Sequence, residues 1–156
     1  MRLGKFGKLL HFDNTSLGVG NIKRFTIIEI KYLFGIIVNI FNTDNQDRFH
    51  SHAFNAFSWM IRGYYYEEVI VSETDPSKYH PYWLGVSVIT KKIEKSRFIP
   101  KNYIHKITKS SPNAISITFE GPWDKNWNEF FDDGRIKHYS WGRKVLYDSK
   151  YDKRSY

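Results

Sequence analysis

The 156-residue sequence contains no cysteine. That absence excludes disulfides, thiolate metal ligands, zinc ribbons and cysteine nucleophiles together. Any metal would have to sit on nitrogen and oxygen donors, and six histidines are the main supply: His11, His50, His52, His80, His105 and His138. A long hydrophobic run is also missing. The most apolar stretch, Tyr32 to Phe41, is far too short to span a bilayer. The N-terminal MRLGKFGKLLHFDN starts basic but lacks the apolar core and small-residue cleavage site of a signal peptide. The expectation is a soluble cytoplasmic protein without a membrane partner. Abundant Lys, Ile, Asn, Phe and Tyr hint at an AT-rich genome such as a phage's, in which case the compartment is the host cytoplasm. Repeats, low-complexity tracts and Pro/Gly-rich linkers are absent, and helical periodicity is scarce.

What is present argues for a packed core. Hydrophobic residues make up 41% and aromatic residues 18% of the chain, which excludes a disordered protein. The length fits one domain over 1–156. Net charge is +8 and the pI is near 9.5, which opens the question of nucleic-acid binding. The basic residues are scattered over Lys5 and Lys8, Lys91 to Arg97, Lys101 to Lys109 and Arg143 to Arg154, with no helical stripe or arginine-rich arm. A solvated basic surface is the favoured reading. Attraction of an anionic small molecule also fits.

A period of two recurs along the chain. Arg24 to Ile30 and Phe34 to Phe41 read as strands. Phe57 to Ile61 and Tyr64 to Val71 read as a hairpin about Arg62–Gly63, and Trp83 to Thr90 and Ile93 to Ile99 as another about Lys91–Lys92. Tyr103 to Ile107 and Ala114 to Glu120 flank the turn KSSPN, and Arg135 to Ser140 could pair with Lys144 to Tyr147 across Trp141–Gly142. Asn126 to Phe131 leaves room for a helical turn. Short strands at this spacing predict an all-β sandwich or barrel, with a jelly roll as the expected architecture.

Within DRFHSHAFNAFSWMIRGYYYEE, His50 and His52 stand one pleat apart, so a strand there would place both imidazoles on one face. A third ligand must come from elsewhere, and His105 in NYIHKIT, just before a strand, is the candidate. Such a set suits Fe(II), Mn, Ni or Zn. The competing reading is two polar residues on a wet strand face. Phe57, Trp59 and Ile61 are expected in the core, with Ser58 and Met60 on the opposite, pocket-lining face. Asn55 could contact substrate or serve its turn. Tyr65 could hydrogen-bond inside the barrel, and Glu67 and Glu68 are expected at the surface. On the strand Ala114 to Glu120, the polar residues Ser116, Thr118 and Glu120 share a face that looks either into the barrel or into solvent. Inward, Glu120 would be a base or an extra ligand. His80 reads as a surface residue, and GPWDKNWNEF could cover one end.

The spacing H-x-H, Gly63, strand, lone His resembles the two-motif pattern of the cupin superfamily. Small bacterial and phage cupins share counterparts of Phe34–Gly35, Asp44 with His50 and His52, Trp59 to Glu68, His105–Lys106–Ile107 and Thr118 to Trp127, over roughly residues 25 to 130. The resemblance implies a double-stranded β-helix, a jelly-roll barrel with its core at about 24–147, and a divalent metal, Fe(II) first, on His50, His52 and His105. It also implies a homodimer formed by strand exchange. The acidic fourth ligand of many cupins falls on Ala56, so a three-histidine site with open positions is implied. Three-histidine sites are typical of thiol dioxygenases, and HKITKSSPNAISITFEGPWD is similar to that family's second half. Its Ser-x-His-x-Tyr trio falls on Ser116, Thr118 and Glu120, where only the serine matches. The expected function is an Fe(II)-dependent, oxygenase-like enzyme acting on a small polar or anionic substrate. A cupin-type sugar or nucleotide-sugar isomerase or epimerase is the alternative, and a non-catalytic ligand-binding or host-interaction module is a third reading.

Overall fold

A computed structural model of the chain describes residues 2–3, 7–13, 22–43, 48–71, 87–124, 126–131, 135–140 and 144–148. His80, Asp44 and the Trp141–Gly142 turn lie outside them. The described residues form fourteen strands and no helix. In chain order these are β1 (Arg2–Leu3), β2 (Gly7–Asp13), β3 (Lys23–Ile30), β4 (Phe34–Phe41), β5 (Phe49–His50), β6 (Ala56–Arg62) and β7 (Tyr65–Val71). They continue as β8 (Ser87–Ile93), β9 (Arg97–Ile99), β10 (His105–Ser110), β11 (Ala114–Glu120), β12 (Asn126–Phe130), β13 (Ile136–Ser140) and β14 (Lys144–Asp148).

They build two seven-stranded antiparallel sheets, ordered β1-β2-β3-β4-β11-β6-β9 and β14-β13-β12-β5-β10-β7-β8. The all-β jelly-roll architecture stands, but the closed double-stranded β-helix barrel does not. Each sheet runs from one edge strand to another, and among the described residues neither closes on itself. The chain, rather than a hydrogen-bonded ladder, joins the sheets: β6 lies in the first and β7 in the second, and β10 and β11 are divided the same way. Two expected hairpins are therefore corrected. Arg62–Gly63 leads from one sheet to the other, and β8 runs straight through Lys91 and Lys92 to pair with β7. These lysines stand on an edge strand, where charge discourages further pairing. The helical turn expected at Asn126 to Phe131 is a strand instead, paired with β13 and β5. Its Trp127 stacks on Tyr139 directly opposite, with ring centroids 4.3 Å apart. Such a cross-strand aromatic pair is a unit of sheet stability.

Gly63 makes the crossing between sheets. Its φ of +74° is one that L side chains seldom adopt, and an added Cβ would run into Ser111 Oγ and sit 3.1 Å from the Ala114 Cβ. Ser111 Oγ is already committed, accepting the Tyr64 N–H at 3.0 Å. Gly63→Ala is therefore expected to destabilise the fold by about 1–3 kcal/mol, combining left-handed strain with a clash against backbone-anchored atoms. Urea unfolding of the two proteins measures it.

The first sheet inverts the expected amphipathicity. On β6, Ala56, Ser58 and Met60 are buried, whereas Phe57, Trp59 and Ile61, expected in the core, face outward. On β11 the polar set Ser116, Thr118 and Glu120 faces inward and Phe119 outward. The small and polar residues of this sheet form one wall of a cavity of about 350 Å3 between the sheets. Apolar packing is confined to satellites around it, one of them Phe41, Met60, Tyr65, Ile107 and Ala114.

Candidate metal centre

The second sheet carries the histidines. β5 ends at His50, which stands directly opposite His105 on β10. Beyond β5 the chain leaves the ladder but stays anchored: the Ser51 N–H donates to the Asn128 carbonyl at 3.0 Å and the His52 N–H to the Lys101 carbonyl at 2.9 Å. His52 thus reaches the other two rings from an irregular segment, rather than as the next same-face residue of a strand. The three ring pairs are nearly equidistant, with centroids 5.1 Å apart for His50 and His52, 5.0 Å for His50 and His105, and 5.1 Å for His52 and His105. One nitrogen from each lies within 4.8 Å of the others.

The outer nitrogens settle which lone pairs point inward. His105 Nδ1 is 2.7 Å from Glu67 Oε2. Burial alone would raise the Glu67 carboxyl, but the hydrogen bonds and charges of His105 and Arg97 outweigh it and draw it down to about 2. An ionised carboxylate only accepts, so His105 Nδ1 carries the proton and its Nε2 offers a lone pair. His50 Nδ1 faces the Arg48 carbonyl at 2.8 Å, which fixes the same tautomer. Nε2 of His52 and Nε2 of His105 are 2.9 Å apart. Burial, then the neighbouring histidines, hold His52 well below its ordinary value. Burial likewise takes His105 to about 4 despite Glu67. His52 and His105 are therefore neutral at pH 7, the form in which imidazole binds metal. Three imidazole nitrogen donors fit a divalent ion such as Fe, Zn, Ni or Mn and do not suit Mg or Ca, which require oxygen.

Glu67 is the residue the sequence reading placed at the surface. It is fully buried, accepting from His105 on one oxygen and from Arg97 Nη1 and Tyr103 Oη on the other, the last at 2.7 Å. A carboxylate behind a ligating histidine fixes its tautomer and orientation. The available signal was period two: Tyr65, Glu67 and Val69 share one face of β7, and all three are buried.

The remaining expected site residues separate. Ser58, Tyr65, Ser116, Thr118 and Glu120 line the cavity together with the three histidines. Asn39 Nδ2 donates to Thr118 Oγ1 at 3.1 Å, and Thr118 Oγ1 donates to Ser58 Oγ at 3.3 Å, making a hydroxyl-rich floor. Met60 packs in the apolar satellite outside the cavity lining. Asn55 is exposed and spends its side-chain carbonyl on the Lys101 N–H at 2.9 Å. His11 and His138 stand in strands apart from the cluster.

Glu120 does not join the histidine cluster. It sits directly opposite Ala56 in the β11–β6 ladder and reaches over Gly35, where an added Cβ would lie 2.9 Å from Oε2. Arg24 Nη2 donates to Glu120 Oε1 at 2.8 Å and approaches Glu29 Oε2 at 3.4 Å. Glu120 Oε2 is buried, without a hydrogen-bond partner among the described residues. Burial raises this carboxyl to about 7, the Arg24 charge opposing and Glu29 adding to the rise. Arg24, Glu29 and Asn39 were not singled out from the sequence, because each becomes recognisable only once β3, β4 and β11 are placed side by side.

No family model and no curated protein matches the sequence. Solved structures do. The polyketide cyclase RemF from Streptomyces resistomycificus superposes with a TM-score of 0.53 at 10% identity, covering 80% of this chain and 84% of that one. An RmlC-like cupin from Shewanella frigidimarina gives 0.47 at 14%, covering 72% and 84%. Oxalate decarboxylase from Bacillus subtilis gives 0.49 at 13%, covering 76% of this chain but 29% of that one. No helix among the described residues is long and apolar enough to cross a membrane. With two facing antiparallel sheets and a three-histidine cluster between them, the chain is similar in fold to the polyketide cyclase RemF.

Proposed function

We propose that the protein is a metal-dependent enzyme in which His50, His52 and His105 hold one divalent ion, Fe(II) first, beside a pocket for a small polar or anionic substrate. The observation that carries this reading is the convergence of three buried or half-buried imidazoles, two with their Nδ1 protons committed outward. Fe(II) in such a shell would supply Lewis acidity and redox chemistry toward dioxygen. The chain's own residues do the rest. Glu67 keeps the His105 lone pair aimed inward. The floor of Asn39, Thr118 and Ser58, with Ser116 beside them, orients polar groups of the substrate. Glu120, close to half-protonated at neutral pH, gives or takes a proton at Oε2. Phe54, Trp123 and Trp127 give the cavity an apolar side against which the substrate's carbon skeleton would pack.

Purified protein is expected to carry or take up about one equivalent of a transition metal by elemental analysis, with affinity at least ~10-fold lower in His50→Ala and His105→Ala. Failure to bind Fe, Zn, Mn or Ni under anaerobic loading would sink the proposal. The second reading, a cupin-type isomerase or epimerase, is supported by Glu120 and Arg24, which place an acid–base group in the cavity without recourse to metal. It predicts turnover that survives chelation and uses no dioxygen.

A further inference from the structure

The cavity wall carried by the first sheet holds charges that the histidines do not use. One register row runs Lys8, Glu29, Gly35, Glu120 and Ala56 across β2, β3, β4, β11 and β6. Lys8, Glu29, Glu120 and Ala56 all line the cavity. Gly35 supplies no side chain, and Glu120 Oε2 takes that space, 2.9 Å from where a Cβ would stand. Arg24, on the same strand as Glu29, bridges the two acids. Lys31 follows in the β3–β4 turn, its Nζ 5.4 Å from the centre of the Trp123 ring. The Trp123 backbone N–H donates to the Lys31 carbonyl at 2.6 Å, which fixes the indole at this wall.

Two polar atoms of this cluster are buried and open. Glu120 Oε2 and Trp123 Nε1 have no hydrogen-bond partner among the described residues, although roughly 90% of buried polar groups have one. The two side chains are neighbours: burial raises the Glu120 carboxyl to about 7, and the Arg24 charge and the Trp123 indole N–H oppose the rise. An indole nitrogen only donates, and a protonated carboxyl donates as well. Both therefore lack the same thing, an acceptor. Lys8, Arg24 and Lys31 line this wall against two acids, Glu29 and Glu120, and the second is near half-protonation at neutral pH. Positive charge is in excess. Water would satisfy the open donors but not the charge, whereas an anionic oxygen satisfies both.

We infer that this wall is an oxyanion subsite, taking a carboxylate or phosphate group at the end of the substrate remote from the metal. The inference rests on reading the cavity as a substrate pocket with its metal on the histidines. His50 and His105 belong to the second sheet and the oxyanion donors to the first, so a bound substrate reaches from one sheet to the other. A cavity of about 350 Å3 confines it to a small molecule with two polar ends. The anion holds Glu120 in its acid form, so binding takes up a proton, and the substrate itself loads the acid. The charged groups about Glu120 are Arg24 and Glu29 on β3, Lys8 on β2 and Lys31 in the turn, while β4 and β6 place only Gly35 and Ala56 opposite it. Anion affinity is therefore level below about pH 7 and falls above it, as Glu120 ionises and repels the ligand.

Titration of the metal-free protein with acetate and with sulfate, against chloride at constant ionic strength, tests it by proton–nitrogen NMR. Neither probe changes charge between about pH 6 and 8, and the two distinguish a carboxylate end from a phosphate-like one. The expected result is saturable movement of the Trp123 indole N–H resonance, assigned through Trp123→Phe. Lys31→Gln is expected to weaken binding at least ~10-fold. Lys95→Gln, which removes the same charge from an exposed position outside the cavity lining, is expected to leave it unchanged. Should Lys31→Gln not fold, Lys8→Gln gives the same readout. Wild-type affinity should fall by up to ~10-fold per pH unit above about 7, and that of Glu120→Gln, which keeps a neutral donor, should not. A Trp123 resonance that ignores both anions up to ~100 mM overturns the inference. So does a loss as large in Lys95→Gln as in Lys31→Gln, or a wild-type affinity that pH does not change. With no metal in the experiment, a failure here leaves the metal centre standing, and a failure of metal binding leaves this result standing.

Discussion

Glu67→Ala is expected to destabilise the protein by about 3–5 kcal/mol and to weaken metal binding by a further ~10–100-fold. The two effects have separate origins. The carboxylate is fully buried and satisfies three donors, those of His105, Arg97 and Tyr103. Removing it strands a largely buried guanidinium, and Arg97 Nε and Nη2 already lack hydrogen-bond partners among the described residues. An uncompensated buried charge is among the few causes of losses this large. The binding loss arises at His105. Without an acceptor on Nδ1, the proton is free to move to Nε2, and the ring loses its orientation. Urea unfolding of the metal-free proteins isolates the first effect, and competition titration with a chromophoric chelator the second. Glu67→Gln keeps the volume and an acceptor while removing the charge, so it should retain most of the metal affinity and lose most of the ion-pair stability. Equal losses in both variants would show that His105 does not depend on Glu67 for its tautomer.

The acid branch of the stability profile should carry the same signature. Glu67 lies near 2 in the folded state against 4.5 for a free carboxyl, so its stabilisation is present above pH 4.5 and lost as pH falls toward 2.

The histidine triad could be read from the sequence because it is written in residue types that have few other reasons to recur at that spacing. His50 and His52 supply a local pair, and His105 heads a β-branched strand. What supports the triad was not legible. Glu67 follows three tyrosines and precedes another glutamate, a context that suits a solvated hairpin as well as a buried network. Its environment is created by β10, whose register places His105 beside β7. The strands of the first sheet failed in a more instructive way. Binary patterning assigns Phe57, Trp59 and Ile61 to the interior because apolar area is best removed from water. The cavity reverses that assignment: a polar pocket between two sheets needs Ser58, Ser116, Thr118 and Glu120 pointing inward, so the alternate residues must point out. A period of two fixes that two faces exist. It does not say which faces the pocket, and a one-residue change of register exchanges them. The chain crossings follow the same logic. Arg62–Gly63 carries a turn signal, and only the pairing of β6 with β11 shows that it joins two sheets.

Arg24→Met should be nearly as costly as the loss of Glu67 at alkaline pH and much less so in acid. Arg24 is in contact with two carboxylates, Glu29 and Glu120, that are both buried. In the wild type, Glu120 binds its proton more tightly folded, at about 7, than unfolded, near 4.5. A carboxyl raised in this way contributes stability that is complete below pH 4.5 and lost as pH rises through 7, a difference of about 3 kcal/mol across the window. Arg24 limits that loss by favouring the ionised form. Without it the folded value climbs, the window extends upward, and the extra cost at pH 8 is expected to be about 3 kcal/mol, as for a buried pair with one partner removed. At pH 5 Glu120 is already protonated in the fold, so there the cost shrinks to the contact with Glu29 and the packing of the arginine stem. His105, held near 4, gives a slope of opposite sign between pH 6.5 and 4. The difference between variant and wild type, measured by urea unfolding at each pH, cancels that term and leaves Arg24's own. The double variant Arg24→Met/Glu120→Gln closes the cycle: if Glu120 is the group that makes the arginine necessary, the substitution that mimics its protonated form should restore most of the stability lost at pH 8 and add little at pH 5. A loss independent of pH, unrescued by Glu120→Gln, would mean that Arg24 acts through its packing and not through the carboxylate.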